Sequence, residues 1–262
     1  MISEAYVTHW ASFVPWPTPV QVEQDLLLSR LICEVANDPY LGRELVFRGG
    51  TCFHKLRITP GRRYSEDLDY VRVSAGGIQP LTSALTALGQ RLGFDVRTRV
   101  GVHPKVYFRT RAADGAQIRI KVEVDTRERT AVEPLEGVEF AVASPFWSGS
   151  ATVQTFSTAE LVATKIRALY QRKKGRDLFD LWLALTELGL SGDELLTAFD
   201  PYRPQGMTAR RAEENLRAKL ADDAFRTDLD PLVGSWPAAY DIDKAGELLI
   251  KEVLRKLNSA VF

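Results

Sequence analysis

The stretch from Leu45 to Val71 constrains the fold more than any other part of the sequence. It consists of an apolar β-prone run, two glycines, a short helical segment, a basic loop and a second β-prone run. Gly49 and Gly50 lack a Cβ, so the chain can turn sharply there and approach a ligand closely. A helix over about 51–56 would then direct its N-terminal amides at the turn. This arrangement suits an anion such as phosphate.

Two carboxylates alternate in the second β-prone run. The strand period of two places Asp67 and Asp69 on one face, and Ser65 shares that face. Adjacent carboxylates repel each other unless a cation lies between them. Mg²⁺ is the natural candidate, because proteins bind it through few carboxylates plus substrate phosphates. A surface loop would explain the same two aspartates without any cation, and this simpler interpretation stays open.

A later run, over 117–125, offers a third carboxylate. Its apolar residues alternate with Lys121, Glu123 and Asp125, so one face of the predicted strand is apolar and the other is charged. The solvated side of an antiparallel strand explains such alternation without a site. The other interpretation is that one of the two acids completes a metal-binding set with the aspartate pair.

The remaining pattern predicts an α+β domain followed by helices. An irregular arm, rich in aromatic residues and prolines, extends to about Pro19, and helical spacing follows over 20–36 and 79–92. Strand-like runs cover 94–100, 105–110, 117–125, 138–142 and 153–156. Beyond them, apolar stripes predict helices over 158–172, 177–188, 208–224 and 243–258, with breaks at Gly189 and Gly192. We therefore expect a catalytic domain over 1–156 and a helical domain over 157–262 that completes a cleft.

Composition excludes several classes of protein. The 34 basic and 34 acidic residues balance, which argues against a surface coated for non-specific nucleic-acid binding. Three histidines and two cysteines show no zinc-like spacing, so a metal would be held by oxygen. No apolar run reaches the length of a membrane span and the start of the chain lacks a signal-peptide pattern, so we expect no membrane partner and a cytoplasmic location.

Basic residues nevertheless cluster in two places. Arg57, Arg62 and Arg63 precede the aspartate pair, and a second group extends from Arg167 to Arg176. A cluster of this kind is commonly a solvated face. Because both clusters flank candidate site residues, contact with phosphate or RNA is the alternative, and both interpretations stay open.

Several of these residues occur together, in one order, in a known family. They are Gly49-Gly50-Thr51, Lys55, the run from Arg63 to Asp69, the run from Ile120 to Glu128, and Lys165 with Arg176, Asp177 and Asp180. In these positions the chain resembles the AbiEii/AbiGii nucleotidyltransferase toxins, which include the MenT-like toxins. The resemblance implies a nucleotidyltransferase-type mixed sheet with flanking helices and a mainly helical C-terminal domain. A Gly-Gly turn replaces the commoner Gly-Ser, and Thr51 can supply the missing hydroxyl.

The resemblance also implies site residues. Asp67 and Asp69 would be catalytic and, with Glu123 in preference to Asp125, would bind Mg²⁺. The glycine turn with Thr51, Lys55, Ser65 and Arg176 would bind the nucleotide. Lys165 would be a catalytic lysine that holds a phosphate, with Asp177 in preference to Asp180 as the catalytic acid that follows it.

The implied activity is transfer of nucleotides from an NTP to RNA, with the tRNA 3′ end as acceptor and inhibition of translation as the result. Basic residues between Arg172 and Arg176 would contact the tRNA acceptor stem. A separately encoded antitoxin is a further implied partner. Two rival functions are a nucleotidyltransferase with a small-molecule or protein acceptor, and a non-catalytic nucleotide-binding module.

Overall fold

The computed structural model describes residues 2–128 and 131–258. The chain divides into two compact units. The first comprises Met1–Phe156 together with Val233–Ser235, and the second comprises Ser157–Leu232 and Trp236–Phe262. Among the described residues, no helix combines the length and apolar character needed to cross a membrane.

The first unit is built on a mixed sheet. Its strands are β1 (Leu45–Arg48), β2 (Asp67–Arg72), β3 (Asp95–Arg99), β4 (Lys105–Arg111), β5 (Gln117–Asp125), β6 (Glu136–Ala143) and β7 (Ser148–Thr155). Their order across the sheet is β3-β4-β5-β2-β1-β7-β6. The β2–β5 and β1–β7 pairs are parallel, and the other neighbours are antiparallel. The two strands that carry the predicted acids therefore lie side by side at the centre of the sheet.

Helices cover one face of this sheet. The helices of the first unit are α1 (Glu4–Ala11), α2 (Pro19–Asn37), α3 (Leu41–Glu44), α4 (Gly49–Leu56) and α5 (Gln79–Arg91). Thr18 begins α2 through a capping box with Gln21, and Pro19 occupies the first helical position, where its missing N–H costs nothing. Gly89 of α5 lies so close to β4 that an added Cβ would meet the Phe108 ring at 2.4 Å. This packing buries the apolar side of β4 and β5.

The N-terminal arm differs from the sequence prediction. The segment before Pro19 was predicted to be irregular throughout, but it contains α1, which buries Val7 and Trp10. Two buried residues three positions apart make too short a pattern to predict a helix. Trp10 donates from Nε1 to Asp25 Oδ2 of α2 at 2.9 Å, so a tertiary contact fixes α1 on the unit.

The second unit is helical in its described residues. Its helices are α6 (Thr158–Gln171), α7 (Gly175–Thr186), α8 (Gly192–Phe199), α9 (Ala209–Leu220), α10 (Asp223–Arg226) and α11 (Ile242–Glu252), with 3₁₀ turns at Asp200–Tyr202 and Leu254–Asn258. Aromatic rings of Phe179, Trp182, Trp236 and Tyr240 pack together at centroid distances of 4.8–6.2 Å. The predicted fold class, a mixed α+β sheet followed by a mainly helical part, is confirmed.

Helix α8 corrects a second prediction. The sequence predicts a break at Gly192, whereas this residue is the first of α8, behind a capping box formed by Ser191 and Glu194. A Cβ at Gly192 would lie 1.8 Å from the Glu252 carbonyl oxygen. The glycine is therefore required for close packing and not for a break.

Candidate active site

The glycine turn lies directly against the aspartate pair. Gly49 follows β1 with φ +85°, and a Cβ on it would lie 2.4 Å from Asp69 Oδ2. A Cβ on Gly50 would lie 2.6 Å from Arg63 Nη2 and 3.1 Å from Ser65 Oγ. Only glycine fits at Gly49, because L side chains rarely adopt this backbone conformation and the space is filled. The two glycines thus let the start of α4 pass beside a carboxylate and a guanidinium.

Hydroxyl groups tie this turn to β2. Thr51 is buried, and its Oγ1 lies 2.9 Å from Ser65 Oγ while also donating to the Asp67 carbonyl oxygen. His54, one turn further along α4, is buried and accepts a hydrogen bond from the Arg62 amide at Nδ1, 3.3 Å away. Both contacts fix the loop between α4 and β2 on the helix. The position of the first aspartate relative to the glycine turn is therefore set.

The aspartates share one face of β2 and are both half-buried. The buried residues Leu68 and Tyr70 point to the opposite face, as the strand period requires. Burial of its carboxyl group raises the pKa of Asp69, and the charge of Asp67 raises it further, against the opposing charges of Lys121 and Arg48. A carboxylate pair held in this way has excess negative charge that a cation would relieve.

Glu123 lies beside the pair, but lysines bind its carboxylate. The parallel register pairs Asp69 with Glu123 and Asp67 with Lys121 across β2 and β5. Lys121 Nζ is 3.0 Å from Asp67 Oδ2 and 3.0 Å from Glu123 Oε2, and Lys105 Nζ is 3.2 Å from Glu123 Oε1. Burial alone would raise the pKa of Glu123, yet the hydrogen bonds and charges of these two lysines lower it.

Asp125, the alternative third acid, makes different contacts from those of Glu123. It lies one strand repeat beyond Glu123, and its Oδ1 accepts hydrogen bonds from the amides of Arg127 and Glu128 at 2.8 and 3.2 Å. Arg48 Nη1 is 3.9 Å from its other carboxylate oxygen. The register places Glu123, and not Asp125, opposite Asp69. Asp125 therefore closes the turn after β5 in this arrangement.

The donor chemistry of the aspartate pair fits a divalent cation of the magnesium type. Two half-buried carboxylates beside a glycine turn match the way Mg²⁺ is bound, through one or two carboxylates plus substrate phosphates. No group of three or more Asp, Glu, His or Cys side chains within 2–128 and 131–258 is arranged to hold a metal ion. The three-acid set with Glu123 therefore stays a prediction, while the two-carboxylate arrangement is in place.

Lys55 has a structural partner away from the aspartates. Its ammonium lies 2.6 Å from Oδ2 of Asp25, whose side chain is only 1% exposed, and 5.9 Å from the Trp10 ring centroid. Removing a lysine from a buried carboxylate is unfavourable, because the carboxylate is left without a countercharge. The structure therefore does not join Lys55 to the other predicted nucleotide-binding residues of the first unit.

The predicted residues of the second unit form ion pairs within that unit. Lys165 Nζ lies 3.0 Å from Asp180 Oδ2, and both side chains are buried. Asp177 is buried at the start of α7, where Arg172 donates to both of its oxygens at 2.7 Å. The acid adjacent to the predicted lysine is thus Asp180, which the sequence prediction ranked second. Arg176 lies 3.6 Å from Asp228.

Sequence reasoning gave no role to the two lysines that neighbour the acids. Lys121 alternates with Glu123 on a predicted strand, so their shared face could have been inferred from the period of two. Lys105 gave no comparable signal, because its position depends on strand register. Arg63 belongs to the first basic cluster that the sequence indicates, and the structure places its guanidinium against Gly50. The structure thereby adds two lysines to a site predicted chiefly from its acids.

A glycine turn followed by an aspartate pair at the centre of a mixed sheet defines the class as a nucleotidyltransferase-type fold. The chain belongs to the nucleotidyl transferase AbiEii toxin family of type IV toxin–antitoxin systems, which matches residues 30–246. The chain is accordingly a nucleotidyltransferase, and the family implies an NTP substrate and an antitoxin partner.

The solved structure of a nucleotidyltransferase toxin agrees with this assignment at the level of the fold. MenT4, a nucleotidyltransferase toxin from Mycobacterium tuberculosis H37Rv, is 19% identical with a TM-score of 0.54, and the match covers 95% of this chain and 99% of that one. An antigenic nucleotidyltransferase-like protein from Paracoccidioides brasiliensis is 19% identical with a TM-score of 0.43, covering 77% and 91% of the two chains. No curated protein matches the sequence significantly.

Proposed function

We propose that this protein is a Mg²⁺-dependent toxin that transfers nucleotides from an NTP to RNA, with the tRNA 3′ end as acceptor, and thereby blocks translation in the cytoplasm. The observation that carries the proposal is the approach of Gly49 to Asp69, where an added Cβ would lie 2.4 Å from Oδ2. This approach brings the amides at the start of α4 next to the acid pair. A triphosphate and its countercharge can therefore be held at one place.

The proposed reaction uses the residues of this turn for positioning. The acceptor hydroxyl oxygen attacks the α-phosphorus, a new O–P bond forms, and the bond to the bridging oxygen breaks, so that pyrophosphate leaves. The hydroxyl proton passes to a carboxylate oxygen of the aspartate pair. Ser65 Oγ and the Arg63 guanidinium lie against Gly50 and would contact the phosphates. Catalysis of this kind depends mostly on positioning and electrostatic stabilisation.

Asp67 and Asp69 would hold the cation. When bound, a divalent cation neutralises phosphate charge and lowers the pKa of the attacking hydroxyl. For Glu123 to join them, its carboxylate must leave Lys121 and Lys105, which now bind it at 3.0 and 3.2 Å. We therefore propose the aspartates as the principal ligands and Glu123 as a ligand released from its lysines.

We also propose that Lys165 and Asp180 serve the reaction. The basis is the resemblance, together with the buried 3.0 Å ion pair that the two side chains form. Such a pair fixes the ammonium group in one position, as phosphate contact requires. Replacement of Lys165 by Met should therefore lower transfer, whereas the exposed Lys251 can be replaced by Met without effect.

The test is incubation with each α-³²P-labelled NTP in the presence of total RNA, of protein, or of a small-molecule extract. We expect label in RNA of tRNA size, at the 3′ end, and a loss of at least 100-fold in Asp69→Asn. Glu139→Gln is the matched control, because Glu139 is an exposed acid on β6 of the same sheet. Label in the protein or small-molecule fraction would assign a different acceptor, and transfer unchanged in Asp69→Asn would refute the assigned site.

Metal dependence has its own measurement. Chelation with EDTA should abolish transfer by the wild-type protein, and excess Mg²⁺ should restore it, because the carboxylate pair and a triphosphate together provide a magnesium-type site. Transfer that persists at full rate in EDTA would contradict the proposed role of the aspartates.

A further inference from the structure

The sheet of the first unit has one open face on the side of β3, β4 and β5. In β4 and β5 the even-numbered residues between Val106 and Val124 are largely buried, whereas the odd-numbered ones are half-buried or exposed. The open face carries seven residues that we call the basic face: Arg97, Arg99, Lys105, Tyr107, Arg109, Arg111 and Arg119. Six of these seven side chains are cationic.

Strand register connects the basic face to the aspartate pair. One row across the sheet runs from Arg97 through Tyr107 and Lys121 to Asp67. The next row runs from Arg99 through Lys105 and Glu123 to Asp69. Registered neighbours point to the same side of a sheet, and three strand spacings amount to about 14 Å. The cations therefore lead from the outer strand to the acids along one surface.

The outer part of this face has cations without countercharges. In the part of the chain that the structure describes, no carboxylate lies within 4.0 Å of Arg99, Arg109, Arg111 or Arg119 as an ion-pair partner. Arg109 Nε is buried and makes no hydrogen bond to the described protein atoms. Arg97 Nε lies 3.8 Å from Asp95 Oδ2, and both of these side chains are about two-thirds exposed. This surface is therefore electropositive.

The cluster that the sequence indicated is different. Arg172, Lys173, Lys174 and Arg176 each pair with an aspartate of the second unit, at 2.7–3.6 Å. Three acids compensate these four cations, so little net charge remains to attract a polyanion. The basic face, whose charges are spaced by the strand period, is the stronger candidate for phosphate contact.

The shape and chemistry of the basic face suit a chain of phosphates more than a single anion. Four arginines (Arg97, Arg109, Arg111 and Arg119) and one acid (Asp95) are among the residues that line a groove of about 440 Å³. The Tyr107 ring lies between the two ends of the face, with the Arg119 guanidinium 5.7 Å from its centroid. Cationic grooves that follow the backbone, combined with aromatic rings on which bases stack, are how proteins bind single-stranded nucleic acid.

We infer that the basic face binds the phosphate backbone of a single-stranded RNA segment whose 3′ end reaches Asp67 and Asp69. This inference rests on the proposed function and names the surface that presents the acceptor. Arg97, Arg111 and Arg119 are the exposed contacts, and Tyr107 is the stacking platform. An acidic protein segment is the other polyanion that could occupy such a face, and the experiment separates the two.

The experiment compares two triple variants of the full chain. Arg97→Gln/Arg111→Gln/Arg119→Gln removes three exposed cations from the groove. Arg210→Gln/Lys244→Gln/Lys251→Gln removes three exposed cations from α9 and α11, so the change in net charge is identical. Binding of fluorescently labelled total tRNA is measured by anisotropy without NTP, and transfer kinetics are measured with both substrates varied.

We expect the groove variant to bind tRNA at least tenfold more weakly and to show a raised KM for RNA, with kcat and the KM for NTP nearly unchanged. The control variant should bind as the wild type does. Equal weakening in both variants, or tRNA binding unchanged in the groove variant, would overturn the inference. Since mutations can disturb folding, 4-thiouridine-containing tRNA is also cross-linked to the wild-type protein, and a set of cross-links that includes none in β3–β5 would overturn the inference as well.

The same experiment distinguishes failure of the proposed function. If wild-type protein binds tRNA through the basic face but labels no RNA with any NTP, the RNA surface stands and the proposed transfer does not. If RNA is labelled while the groove variant binds and reacts normally, the proposed transfer stands and the surface does not. A third outcome is that an acidic peptide competes with tRNA for the wild type and the control variant but not for the groove variant. That result would show that the basic face is a general polyanion site, and it would contradict the RNA assignment.

Discussion

At the scale of single residues, Gly49 shows how strongly one position depends on having no side chain. Replacing it by Ala should lower transfer by at least tenfold, because the added Cβ would lie 2.4 Å from Asp69 Oδ2 and displace that carboxylate. A left-handed backbone conformation adds roughly 1–2 kcal/mol of destabilisation for an L residue. Transfer assays and urea unfolding of the variant measure the two effects.

Gly77→Ala is the matched control for this prediction. A Cβ at Gly77 meets nothing within 4 Å, and its φ does not lie in the range that disfavours side chains. Its transfer rate should equal that of the wild type. Full activity of Gly49→Ala would mean that the turn tolerates displacement of Asp69, in contradiction to the proposed site.

The strand period of two predicted which face of its strand each acid lies on, but it did not predict which side chains the acids contact. Asp67, Asp69 and Glu123 could be placed on one side of their strands from alternation alone. The lysines that bind Glu123 could not be predicted, because the pairing of Lys105 with Glu123 depends on strand register. For the same reason Asp180, and not Asp177, is the acid next to Lys165, since their contact depends on how α6 packs against α7.

At the scale of elements, strongly periodic segments were predictable and short ones were not. The predicted helix over 20–36 corresponds to α2, whose buried residues recur over five turns. Helices α1 and α8 have eight residues each and depend on tertiary contacts and close glycine packing. Propensity alone rarely specifies helices of this length, because nucleation is costly and tertiary packing supplies most of their stability.

The buried side chain of Lys219 contacts the C-terminal end of α6, and its lowered pKa leads to a prediction about stability. Its ammonium group is buried and donates to the carbonyl oxygens of Leu169 and Tyr170, the latter at 3.0 Å, which satisfies C-terminal carbonyls of that helix. Burial lowers the pKa of Lys219 to about 8. Between about pH 8 and the unfolded pKa of about 10.4, the folded state binds fewer protons than the unfolded state, so stability rises with pH through this window.

Lys219→Met should remove this pH dependence. Relative to the variant, the wild type should gain on the order of 1–3 kcal/mol of unfolding free energy between pH 7.5 and pH 10. Urea unfolding at both values measures the difference, and Lys251→Met, an exposed lysine of α11, serves as control. Parallel changes in the wild type and Lys219→Met would show that the buried ammonium is not the titrating group.

At the scale of the whole molecule, the net charge is zero but the charged residues are unevenly distributed. The formal net charge is zero, which led us to expect no general affinity for nucleic acid. Composition cannot reveal that cations of the second unit are paired, whereas several on the basic face are not. Whether a cation is paired depends on the packing of elements distant in sequence, as with Lys173 and Asp222. The sequence therefore indicated RNA contact but assigned it to the basic residues between Arg172 and Arg176, whose charges are paired with aspartates.

This distribution predicts how RNA binding depends on salt. Because the molecule carries no net charge, long-range attraction should contribute little, and the local contacts on the basic face should set the dependence. Four to six phosphate contacts to a single strand give a slope of roughly −3 to −4 in log Kobs against log salt, at about −0.7 per contact. The groove variant should have a slope shallower by about 2, and the α9/α11 control should keep the wild-type slope. Anisotropy titrations over a range of KCl concentrations measure all three, and identical slopes would mean that the RNA phosphates contact another surface.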